Sequence, residues 1–115
     1  MLLVRGTIVF EESVTLPAGT TAEVRVEEVS RADAAATVVA RDVVRGLDAG
    51  SDQQIVPFSI HGEALDPRLR YTVRVHVDVD GDGEVSVGDY ISAASHPIAW
   101  DHLPATISIV VRLVR

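Results

Sequence analysis

The 115-residue sequence has no cysteine. That excludes disulfides, zinc–thiolate centres, cysteine nucleophiles and lipid attachment through a cysteine within these residues. It does not decide the compartment. Lysine is also absent, so all ten cations are arginine, against seventeen acids and a net charge of −7. The arginines are scattered singly along the chain and form no basic patch. Nucleic acid and anionic membrane surfaces are therefore not expected partners. Aromatic residues make up only 4%, so the core must be largely aliphatic. No apolar run approaches transmembrane length, and no membrane insertion is expected. The opening Met1-Leu2-Leu3-Val4-Arg5 is too short for a signal peptide. Either the protein is cytoplasmic, or a targeting segment precedes this sequence.

What is present fits one domain over residues 1–115. Hydrophobic residues are 47% of the chain, which rules out disorder. Valine dominates them, and β-branched side chains favour a pleated sheet. Alternation of apolar and polar residues marks the strands. Val4, Gly6, Ile8 and Phe10 share one face of residues 2–10. Val24 and Val26 alternate with Glu23, Arg25 and Glu27 in a second strand. Tyr71, Val73, Val75 and Val77 face inward while Thr72, Arg74 and His76 face outward. Ile107, Ile109, Val111 and Leu113 share a face near the C-terminus, and Tyr90 to Ala94 is a shorter strand. Gln54 to Ile60 is another, and Pro57 within it suggests an edge or a bulge.

Residues 31–45, RADAAATVVARDVVR, satisfy two patterns. Alanine and arginine favour a helix, whereas Val38-Val39 and Val43-Val44 favour a strand. We read a strand from about Thr37 to Val44. Leu16 to Thr20 is a turn, Gly46 to Asp52 a loop, and Asp66-Pro67 a turn former. The sum is an all-β fold: an antiparallel β-sandwich of about seven strands.

The sharpest local signal is the acidic loop Asp78-Val79-Asp80-Gly81-Asp82-Gly83-Glu84-Val85-Ser86-Val87-Gly88-Asp89. Counted from Asp78, acids occupy positions 1, 3, 5 and 12, glycine position 6 and serine position 9. This is the spacing of EF-hand and dockerin-type calcium loops, with Asp replacing Glu at the end. Calcium takes six to eight oxygens. Asp78, Asp80 and Asp82 can each offer a carboxylate, and Gly83 allows the sharp turn. The backbone carbonyl of Glu84, then Ser86 and Asp89, complete the set, while Val85 ties the loop to the core. Acids this crowded also repel one another unless a cation intervenes. Calcium is thus the expected cofactor. The competing reading is an acidic hairpin loop without metal, since Asp-Gly is a common turn pair.

Catalytic signals are missing. His61, His76, His96 and His102 form no His-x-His or His-x-x-x-His pair, and His96-Pro97 reads as a turn. No serine sits in a nucleophile elbow. Glu11-Glu12 and Glu27-Glu28 cannot flank one bond, because neighbours on a strand point to opposite faces. The single tryptophan, Trp100, reads as an apolar plug at one end of the fold. No enzyme is expected.

Several stretches together resemble the YbaY/YscW-type bacterial lipoprotein family, which includes type III secretion pilotin-like chaperones. They are Val4-Arg5-Gly6-Thr7-Ile8, Leu16-Pro17-Ala18-Gly19, Val24-Arg25-Val26-Glu27-Glu28-Val29-Ser30, Val56-Pro57-Phe58-Ser59-Ile60, Leu65-Asp66-Pro67 and Tyr71-Thr72-Val73-Arg74-Val75. The resemblance runs from about residue 4 to 98. It implies a non-enzymatic β-sandwich, usually tethered at the outer side of a bacterial membrane, some members of which bind a secretion-system protein. This sequence departs from the family in having no lipid-attachment cysteine and in carrying the full acidic loop. Two functions follow. One is a calcium-binding structural or protein-binding module working outside the cytoplasm. The other is a pilotin-like chaperone for a secretion or envelope protein, with the acidic loop incidental.

Overall fold

A computed structural model describes residues 1–31, 33–45, 47 and 53–115. Eight strands follow in chain order: β1 (Leu2–Val14), β2 (Thr21–Glu28), β3 (Thr37–Val44), β4 (Gln53–His61), β5 (Tyr71–Asp78), β6 (Tyr90–Ser92), β7 (His96–Ile98) and β8 (Ala105–Leu113). The all-β expectation holds. The ambiguous segment is β3, over the bounds its paired valines mark. Most of the expected loop at 46–52 lies outside the described residues. His96-Pro97, expected as a turn, lies in β7, whose partner is β5.

The strands form one sheet in the order β3-β2-β5-β6-β8-β1-β4, with β7 set beside β5 off this path. The end strands β3 and β4 meet without pairing, so the sheet rolls into a nearly closed, barrel-like sandwich. All pairs are antiparallel except one. The first and last strands, β1 and β8, run parallel from Val4↔Ala105 to Phe10↔Val111. Pro57 lies on β4, an end of the path, as an edge proline should; it pairs with Thr7 in unbroken register.

The core is aliphatic, as the low aromatic content requires. Val4, Ile8 and Phe10 of β1 pack with Val24 and Val26 of β2, Val73 and Val77 of β5, and Ile109 and Val111 of β8, all essentially without exposed surface. Phe10 meets the Tyr90 ring edge to face at 5.0 Å. Leu16, Leu47 and Leu65 enter the same core from the connections. Trp100 does not. It is 51% exposed, so the expected plug is a surface side chain.

The outer face of β3, β2 and β5 carries a second ordering device. Arg41, Arg25 and Arg74 stand directly opposite one another across three strands, an arrangement that like charges disfavour. Glu27, buried beside them, accepts Arg74 Nε at 2.7 Å and meets Arg25 Nη2 at 3.2 Å. Glu23 bridges Arg25 and Arg41 from the other side. On the same face of β5, Thr72 and His76 are covered rather than wet. β7 pairs alongside Thr72, whose hydroxyl accepts the His96 amide at 3.1 Å.

Candidate functional site

The acidic loop joins β5 to β6, and its conformation is built by its own carboxylates. Asp78, at the end of β5, accepts the Gly81 amide on Oδ1 at 3.1 Å and the Gly83 amide on Oδ2 at 2.8 Å. Gly83 has a φ of 79°, the left-handed region, as the expected sharp turn requires. Asp82 Oδ1 accepts the Glu84 amide at 2.9 Å, and Ser86 Oγ donates to Asp80 Oδ2 at 3.1 Å. Asp89, 1% exposed, closes the loop: Oδ1 accepts the Val79 amide at 2.9 Å and Oδ2 lies 2.8 Å from His76 Nε2.

The four carboxylates named by spacing therefore converge. One oxygen each of Asp78, Asp80, Asp82 and Asp89 can be chosen so that all lie within 4.8 Å of one another. The electrostatics register the crowding. At Asp82 the Glu84 amide lowers the carboxyl pKa, but desolvation and the charges of Asp80 and Asp78 outweigh it, and the net shift is upward. At Asp80 desolvation raises the pKa, yet hydrogen bonds from Ser86, Asp78 and Asp82 bring it below the ordinary value. Asp89 is raised by burial and lowered further by the His76 ring and the Val79 and Ser86 amides, so it too ends low.

The donor set tests a calcium reading in both directions. Hard carboxylate oxygens in a small space suit calcium. Asp89 is the least available of them, because its two oxygens already serve His76, Val79 and Ser86. Glu84 is exposed and its carboxylate stands apart from the cluster. Val85 does not tie the loop down. It is exposed, and Val79 packs on the core instead. Sequence spacing missed the His76–Asp89 contact, since thirteen residues separate the pair and only the β5–β6 hairpin brings them together.

A second surface has no sequence motif. Leu69, Arg70, Tyr71, Pro97, Ile98 and Trp100 line an open groove of about 430 Å³ where the β4–β5 connection meets β7. Its single clue in the sequence is Trp100, an isolated aromatic in a chain poor in them.

The comparisons with known proteins bear on the chain as a whole. A family model described as the type III secretion system lipoprotein chaperone (YscW) matches residues 1–92. The chain belongs to the YscW family. No curated protein matches the sequence. Among solved structures, an alternative pilotin from the type II secretion system of Vibrio cholerae superposes with a TM-score of 0.76. The match covers 97% of this chain and 96% of that one at 22% identity. At that identity the likeness is one of fold, and it spans β8, beyond the residues the family model matches. The YscW match ranks the two sequence-based functions: the chaperone reading has its support, and the calcium reading does not.

Proposed function

We propose that this YscW-family protein is a non-enzymatic, pilotin-like chaperone that binds a secretion-system component of the bacterial envelope and works outside the cytoplasm. The observation that carries the proposal is the family match over residues 1–92. The pilotin-like fold across nearly the whole chain agrees with it. A rigid sheet with exposed apolar side chains on its connections suits binding better than catalysis. The test is co-expression with each envelope component of the secretion systems encoded in the same genome, followed by co-purification and calorimetry. The reading expects one such component to bind stoichiometrically and to be stabilised in its presence. If none binds, the reading falls.

A second reading rests on the convergent carboxylates of Asp78, Asp80, Asp82 and Asp89. It makes the loop a calcium site that orders the β5–β6 hairpin, with the Glu84 carbonyl and Ser86 as further ligands. This would be a structural role compatible with the first reading. Calorimetric titration with calcium tests it directly, and heat indistinguishable from that of magnesium would dismiss it.

A further inference from the structure

We propose that the groove between Leu69 and Trp100 is the docking surface for the client, and that it takes an apolar segment with acidic residues beside its anchors. The proposal deepens the chaperone reading above and rests on it. Leu69 is 39% exposed and Trp100 51%, large apolar side chains that a lone monomer gains nothing by holding in water. They share the groove with the buried Tyr71, which forms its floor, and with Pro97 and Ile98.

The floor is fixed. The Tyr71 hydroxyl accepts the Asp66 amide at 3.0 Å. Ile98 and Pro97 pair with Tyr71 and Thr72. The Arg70 amide donates to Ser30 Oγ at 2.8 Å, and the Val29 amide to the Arg70 carbonyl at 2.9 Å. A preformed groove with exposed aromatic and aliphatic walls costs little to fill. Leu69 and Tyr71 also line a second depression of about 460 Å³, with Ala34, Ala35 and Val39.

Charge selects the occupant. The protein carries −7, yet one cation on this groove, Arg70, is comparatively free. Among the described residues Arg70 forms no ion pair; its guanidinium reaches only the Ser30 carbonyl, at 3.4 Å. Arg31 lines the second depression, together with Glu28. The acid there, Glu28, is held by the Ser30 amide, which its carboxylate accepts at 3.1 Å, and by the charge of Arg31. Arginine beside an exposed tryptophan is the composition of binding hot spots. The Arg70 guanidinium on this groove favours a carboxylate on whatever segment lies in it.

Trp100 is the only tryptophan, so it reports on its own surface. The chain is labelled with 5-fluorotryptophan and titrated with the unlabelled envelope component found by co-purification. Three variants are compared: Leu69→Ala, Arg70→Glu and Arg70→Lys. All lie on exposed positions, and thermal melts verify that they fold. Binding should move the single fluorine resonance. Leu69→Ala should weaken binding about thirtyfold, in the range of a hot-spot truncation. Arg70→Glu should weaken it about tenfold with a shallower salt dependence, and Arg70→Lys should restore most of the loss. If the component binds while the resonance stays put and every variant binds like wild type, the groove proposal is wrong and the chaperone reading stands. If no component binds, both are wrong. A resonance that moves with anionic lipid vesicles but not with the component would make the groove a membrane contact and overturn the proposal.

Discussion

A Cβ placed on Gly6 would overlap the carbonyl oxygen of Ile107 and press on the Phe58 ring at 3.2 Å. The obstruction is backbone of the parallel neighbour β8, which cannot rotate away. Gly6→Ala should therefore cost about 3 kcal/mol, the upper end for an overpacked core position. Denaturant unfolding measures it, and a loss under about 1 kcal/mol would mean that β1 and β8 approach less closely. Glu27 is the second constrained residue, since its carboxylate separates the guanidiniums of Arg25 and Arg74. Glu27→Gln removes the charge while keeping the shape. A loss of roughly 1–3 kcal/mol is expected, by analogy with hydrogen bonds to charged groups. Added salt should shrink the loss, because it screens the exposed arginines. Asp66 supplies the pH test. The Arg68 side chain and amide hold its carboxyl down to about 2. A folded pKa below the unfolded value means that this interaction favours the fold above the ordinary Asp pKa of 3.8. It fades as pH falls through about 2. Carbon-detected NMR titration should find that low midpoint, and Arg68→Ala should return it to the ordinary range.

At the scale of elements, alternation identified the strands well, because each lies on a sheet with one covered face. β7 escaped it: three residues including Pro97 carry no period. What makes them a strand is the first residues of β5, Tyr71 to Val73, with which they pair antiparallel. The acidic loop was the most legible element, since its ligand spacing is local and its hydrogen bonds run between near neighbours. If it holds calcium, the ion stabilises the folded state alone. At a hundredfold excess over Kd that adds roughly 2.7 kcal/mol, which for a domain of this size raises Tm by roughly 10 °C or more. Magnesium should do much less, because it demands a tight octahedron and keeps its waters. Asp82→Ala should remove most of the calcium shift. It should leave the metal-free melt equal or higher, since the other carboxylates already raise the Asp82 pKa. Melts in EDTA, calcium and magnesium decide it, and equal midpoints in the two metals would leave the loop as a turn only.

For the whole molecule the controlling fact is that the first and last strands are partners. Thr7 and Ser108, 101 residues apart, share a hydrogen bond at 3.0 Å. β1 cannot gain its β8 neighbour until nearly the entire chain is in place. Such non-local, all-β topologies fold in milliseconds to seconds. Stopped-flow refolding should fall in that range, and microsecond folding would indicate a nucleus that does not need β8. The sequence by itself determined the element type, the aliphatic core and the acidic loop, because periodicity, composition and ligand spacing are local properties of the chain. Alternation says which face a side chain takes, not which strand lies beside it. Only the tertiary structure decided the parallel β1–β8 pair, which makes Gly6 a packing requirement, and the row of arginines that Glu27 and Glu23 hold together. It also put Trp100 in one surface groove with Leu69, thirty-one residues earlier in the chain, since a groove built from separate connections exists only once the sheet has rolled up.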